Sequence, residues 1–193
     1  MRLFTGIDLP LEILLRLERL ISALRPEALI KWSPLDNLHV TTKFIGEWPE
    51  SRLEELHDAL ASIPGREPFH VEIKDLGWFP NERSPRVLWA GVYDEPDGQP
   101  LMRLAQETDA KLEELGIKKE DRPFSPHLTL ARIKNPVPLQ RLRQRVTEML
   151  PVAIGSFPVS RFVLYRSEPG SNASIYRKLG EYNFESAMAA GKI

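Results

Sequence analysis

Apolar and polar positions alternate along this chain in two rhythms, one of period two and one near 3.6, and their succession divides it into short elements. Leu3 to Leu9 reads as a strand, and Pro10 opens a helix carrying Leu11, Leu14, Leu15, Leu17, Ile21 and Leu24 up to about Arg25. Ile30 to Trp32 is a second short strand. The turn-forming run Ser33-Pro34-Leu35-Asp36-Asn37 leads into a third, which contains His39. Ser51 followed by Glu54 has the spacing of a capping box, and Leu53, Leu56, Leu60 and Ile63 continue at helical intervals until Pro64-Gly65.

Phe69, Val71 and Ile73 alternate with polar neighbours as in a half-buried strand, whereas Val87 to Tyr93 is apolar enough to be covered on both faces. Leu101 to Leu115 reads as a helix stopped by Gly116. A strand holding His127 follows, then a helix over about Pro138 to Leu150, strands over Val159 to Arg166 and Ile175 to Phe184, and a loose tail from about residue 186. The order βαββαββ followed by αβαββ does not suit a doubly wound parallel sheet. It predicts an α+β fold of two similar lobes, each an antiparallel sheet with helices on its outer face, around a central groove, with residues 1–193 as a single bilobal domain.

The chemistry lies in one short pattern written twice. His39-Val40-Thr41 and His127-Leu128-Thr129 stand 88 positions apart, each in an apolar, strand-like stretch. With four His and six Thr in 193 residues, shuffling yields roughly 0.12 copies of His-x-Thr, so two are well above chance. In a strand the His and the Thr of each copy share a face, roughly 6.6 Å apart. Two such strands facing one groove offer two imidazoles, which near neutral pH suit a base and an acid, and two hydroxyls suited to phosphate oxygens.

Composition narrows the setting. The 42% hydrophobic content and mixed charge describe a globular protein, and a net charge of −1 provides no protein-wide attraction to a polyanion, so any nucleic-acid contact must be local. Cysteine is absent, which removes disulfides, thiolate nucleophiles and Cys-ligated zinc. No segment has the length of a signal peptide core or a membrane span, and a cytoplasmic protein without membrane association is expected.

Further residues flank the repeated motif: Arg2-Leu3-Phe4, Lys31-Trp32, Lys43-Phe44-Ile45-Gly46, Leu76-Gly77, Phe79-Pro80, Pro85 to Gly91, and Phe124 to Arg132. In this order they resemble the two-histidine (2H) phosphoesterases, and among them the RNA 2′,3′-cyclic phosphodiesterases, also called 2′-5′ RNA ligases. The resemblance covers nearly the whole chain. It implies catalysis by His39 and His127, with His39 as acid to the leaving 3′ oxygen and His127 as base to water, and phosphate contacts from Thr41, Thr129 and Arg132. It implies no metal and no cofactor, a monomer, and as partner an RNA with a 2′,3′-cyclic phosphate end or a small cyclic nucleotide.

Thr42, where the family usually has Leu, points away from the site by alternation. Lys43 shares parity with His39 and is a candidate for positive charge at the groove mouth. Phe4 is a candidate for stacking a base, with core packing as the competing role. Arg132 lies five residues after His127, on the opposite face by parity, and reaches the groove only if the strand bulges or ends near Ala131. Two rivals remain: a metal-dependent hydrolase recruiting a carboxylate such as Asp36, and a module that binds RNA phosphate ends or nucleotides without reaction.

Overall fold

The computed structural model describes residues 1–171 and 173–184, so the tail expected from about residue 186 lies outside the described residues. Among the described residues, nine strands and four helices follow one another as β1 (Arg2–Asp8), α1 (Leu11–Leu24), β2 (Lys31–Trp32), β3 (His39–Glu47), α2 (Leu53–Ala61), β4 (Phe69–Phe79), β5 (Val87–Tyr93), α3 (Pro100–Glu113), β6 (His127–Arg132), α4 (Gln140–Met149), β7 (Ala153–Val159), β8 (Arg161–Glu168) and β9 (Ile175–Asn183). The strands form two antiparallel sheets, β3-β1-β8-β9 and β2-β6-β5-β4-β7. No described helix is long and apolar enough to cross a membrane.

Three local readings are corrected. Pattern alone predicts only the last residue of β7, because Gly155 and Pro158 punctuate Ala153–Val159; β7 is an edge strand, where a missing N–H is tolerated, and it buries Ile154, Phe157 and Val159. Ser51 does not cap α2: a 3-10 turn over Glu50–Arg52 precedes the helix, and Arg52 at the N-cap position makes no side-chain cap bond. Helix α1 turns Ile13, Leu17, Leu20, Ile21 and Leu24 inward while Leu11 and Leu15 face solvent.

Helices lie outside the sheets, as the element order predicts, but the lobes are not successive halves of the chain. Helix α1, which follows β1 of the first sheet, packs on β7 of the second beside α4, and Arg16 Nη1 donates to the Ile154 carbonyl at 2.9 Å. Helices α2 and α3 pack together against β9 and β3 of the first sheet. Leu3, Ile7 and Val40 of the first sheet belong to the same connected apolar cluster as Leu128, Leu130 and Ala131 of the second. Burial of this kind contributes about 25 cal/mol per Å² of apolar surface and holds the two sheets against each other. The seam brings β3, the edge of the first sheet, next to β6, one strand in from the edge of the second.

Candidate active site

Each His-x-Thr motif is anchored by its middle residue. Val40 and Leu128 are both completely buried, and alternation then turns His39 and Thr41, and His127 and Thr129, to the opposite face. One residue after each Thr, the strand bulges. In the β1–β3 ladder Thr5 pairs with Lys43 and Gly6 with Thr41, leaving Thr42 extra; in the β5–β6 ladder Leu88 pairs with Ala131 and Trp89 with Thr129, leaving Leu130 extra. An extra residue inverts the parity of all that follows.

The two bulges decide which neighbours join the site. Arg132 is carried onto the face of His127 and Thr129 and lines the groove. Phe44, at the same offset from His39, does the same and is 57% exposed. Lys43 is thereby removed from the groove mouth, contrary to expectation. It is 2% exposed and reaches back to α3, with Nζ 2.5 Å from Asp109 and 3.6 Å from Glu120, while donating to the Lys118 carbonyl at 2.7 Å. Thr42 points away from the groove, and its hydroxyl pairs with that of Thr5 at 2.8 Å.

The groove has a volume of about 540 Å³ and contains both motifs. His39 Nδ1 lies 2.8 Å from the Asn37 carbonyl and His127 Nδ1 lies 2.8 Å from the Ser125 carbonyl. A carbonyl only accepts, so each ring carries its proton on Nδ1 and leaves Nε2 with a lone pair. The Thr41 hydroxyl donates to His39 Nε2 at 3.0 Å. Ser33 fixes the second motif from its edge, donating from Oγ to the Thr129 carbonyl at 2.7 Å.

Burial holds the His39 imidazole well below its ordinary value, at about 4; the Asn37 carbonyl opposes this, and the charges of Arg132 and His127 add to it. His127 is lowered as well, again by burial first, with Ser125 opposing and Arg132 adding. Both rings are therefore neutral in the ligand-free protein near neutral pH.

Aromatic rings brace both imidazoles. Phe4 stacks on His39 with centroids 4.7 Å apart, and Tyr176 meets the same imidazole edge-on at 5.2 Å. Phe79 meets His127 edge-on at 5.0 Å. Of the two roles open to Phe4, burial selects packing over stacking a base: it lines the groove but is only 4% exposed, with His39 and Tyr165 stacked on its ring. Gly6 lets β1 lie close against the backbone of the first motif, since a Cβ there would lie 2.8 Å from the Val40 carbonyl oxygen.

Among the described residues, four cations, Arg2, Lys31, Arg132 and Lys134, line the groove and no carboxylate does. Asp36, the acid a metal centre would recruit, is not among the lining residues. His57, bonded to Tyr182 at 2.7 Å, and the exposed His70 also lie outside the wall. Phe44, Tyr176, Arg2, Lys31 and Lys134 are lining residues that sequence reasoning missed. For Phe44 a signal existed, since it repeats the five-residue offset that separates Arg132 from His127.

The family model for LigT-like phosphoesterases matches residues 7–89 and 93–176, and each matched segment holds one His-x-Thr motif. The chain belongs to this family. Among the relatives of this LigT-like phosphoesterase is the RNA 2′,3′-cyclic phosphodiesterase of Methanocaldococcus jannaschii, 35% identical over 182 residues that cover 94% of this chain and 100% of that protein. The crystal structure of TT0787 of Thermus thermophilus superposes with a TM-score of 0.80 at 34% identity, covering 95% of this chain and 98% of that one. E. coli LigT complexed with 3′-AMP superposes with a TM-score of 0.75 at 29% identity, covering 96% and 98%.

Proposed function

We propose that this LigT-like phosphoesterase hydrolyses RNA 2′,3′-cyclic phosphate ends to 2′-phosphates, and joins RNA ends through a 2′-5′ bond when the 5′ hydroxyl of a second RNA end attacks the phosphorus in place of water and the bond to the 3′ oxygen breaks. The observation that carries the reading is a pair of imidazoles, each tautomerically fixed to present Nε2, on the walls of one groove whose charged lining residues are all cations among the described residues. The relatives named RNA 2′,3′-cyclic phosphodiesterase support the same substrate class. A groove built within one chain makes a monomer sufficient.

In this mechanism His127 Nε2 takes a proton from water as the water oxygen bonds to phosphorus. The bond from phosphorus to the 3′ oxygen breaks, and His39 delivers a proton from Nε2 to that oxygen, leaving a 3′ hydroxyl and a 2′ phosphate. Burial opposes the protonated His39 this requires, and the negative charge of the bound phosphodiester restores it. Thr41, Thr129 and Arg132 hold the non-bridging oxygens. A well-placed donor of this sort lowers the barrier by about 3 kcal/mol.

Incubation with a nucleoside 2′,3′-cyclic phosphate, followed by phosphorus NMR of the product, tests the reading. The 2′-phosphate isomer is expected from the native chain, and a rate lower by about 10² to 10⁴ from His39→Ala or His127→Ala. A 3′-phosphate product, or full activity in either variant, would refute it. A module that binds without reaction would leave the cyclic ester intact.

A further inference from the structure

Beyond the reacting phosphate, the cations of the groove continue along one edge of the second sheet. Lys31 and Arg132 are direct cross-strand partners on β2 and β6. Like charges so placed repel each other, and no carboxylate pairs with either among the described residues. Arg86 adjoins them: its carbonyl accepts from Ile133 N–H at 2.9 Å, and its Nη1 donates to the Lys134 carbonyl at 3.4 Å. Arg83 follows in the loop between β4 and β5.

That loop is held in shape by its own bonds. Asn81 Oδ1 accepts from the N–H groups of Arg83 and Ser84, both at 3.0 Å, and Arg143 Nη2 donates to the Arg83 carbonyl at 3.2 Å. Lys31, Arg132, Lys134, Arg86 and Arg83 are all exposed, and none forms an ion pair among the described residues. Most other cations of the chain do, as in Arg52 with Glu55, Lys74 with Glu72 and Lys178 with Asp8. Glu82 is the acid within the same loop. A protein of net charge −1 thus keeps a strip of uncompensated cations that starts in the catalytic groove and leads away from it.

We propose that this strip is a track for the backbone phosphates of the nucleotides preceding the reacting end, so that a single-stranded polyribonucleotide is preferred over a free cyclic mononucleotide. The inference rests on the function proposed above. A 3′-terminal cyclic phosphate leaves the rest of the RNA only one way out, from its 5′ side. Single-stranded phosphates are held mainly by charge, and each contact adds about 0.7 to the slope of log affinity against log salt.

The test compares a nucleoside 2′,3′-cyclic phosphate with a single-stranded oligoribonucleotide ending in the same group, at several salt concentrations, for the native chain, Arg83→Gln and Arg83→Gln/Arg86→Gln. On the oligonucleotide the double variant is expected to lose about tenfold in kcat/KM and about 1.4 in salt slope, and Arg83→Gln about half that slope. On the mononucleotide both variants should stay within about twofold of the native chain. Equal losses on both substrates, or no loss on the oligonucleotide, would overturn the track. If the native chain turns over neither substrate, the function reading fails, and fluorescence anisotropy of a 2′-phosphorylated oligonucleotide decides the track separately. A slope unchanged by the double variant in that binding assay would again overturn it.

Discussion

Lowering the pH should destabilise this protein through His39, and the size of the effect follows from its burial. The unfolded imidazole titrates near 6.5 and the folded one at about 4, a difference worth roughly 3 kcal/mol once both states are protonated. The sign follows from proton counts. Between these two values the unfolded chain binds the proton and the folded chain does not, so stability falls as pH drops through that window. From pH 7 to pH 5 the loss through His39 is about 2 kcal/mol. Asp8, lowered despite its burial by hydrogen bonds from Lys178 and Arg161, loses its contribution only at still lower pH. His127 is lowered too and adds a loss of the same sign, so the effect of His39 is read as a difference. Urea unfolding of the native chain and of His39→Gln, followed by tryptophan fluorescence at pH 7 and pH 5, isolates it. The native chain should lose about 2 kcal/mol more than the variant. Equal losses, or an NMR titration of His39 with its midpoint near 6.5, would refute the reasoning.

Two other outcomes follow from the geometry. If His39 protonates the leaving oxygen, His39→Ala should lose about 10² to 10⁴ in rate on a ribose cyclic phosphate, and much less on a phosphodiester whose nitrophenolate needs no proton; His127→Ala should lose comparably on both, and steady-state rates with the two substrates check this. Asp109→Asn removes the nearer partner of the buried Lys43 ammonium, which retains Glu120 at 3.6 Å and the Lys118 carbonyl; a loss near 3 kcal/mol, the low end for a broken buried pair, is expected in thermal or urea unfolding.

The spacing of His and Thr was legible in sequence because alternation is a property of one strand alone. What that strand could not disclose is its bulge, which exists only against a partner: Thr42 is extra because Thr5 and Gly6 span three residues of β3. Parity therefore holds up to the bulge and fails for Lys43 beyond it, and the same device resolves the difficulty over Arg132. Phe4 was ambiguous for another reason, since an aromatic residue near a site serves equally as its floor or as its lid until burial decides. Strand β7 was hidden because its Gly and Pro are acceptable only at an edge, and edge position is a fact of the assembled sheet. The two antiparallel sheets were legible from element order, but not which helix covers which sheet.

That interleaving has a mechanical consequence. Because β1, β3, β8 and β9 make one sheet while the intervening strands and helix α1 belong to the other side, the polypeptide shuttles between the lobes instead of passing once through a linker. No single bend can therefore swing them apart like jaws, and widening the gap between the two rings would strain several crossings and open the apolar cluster that both sheets share. A fragment ending at residue 98 would possess one His-x-Thr motif and neither sheet complete.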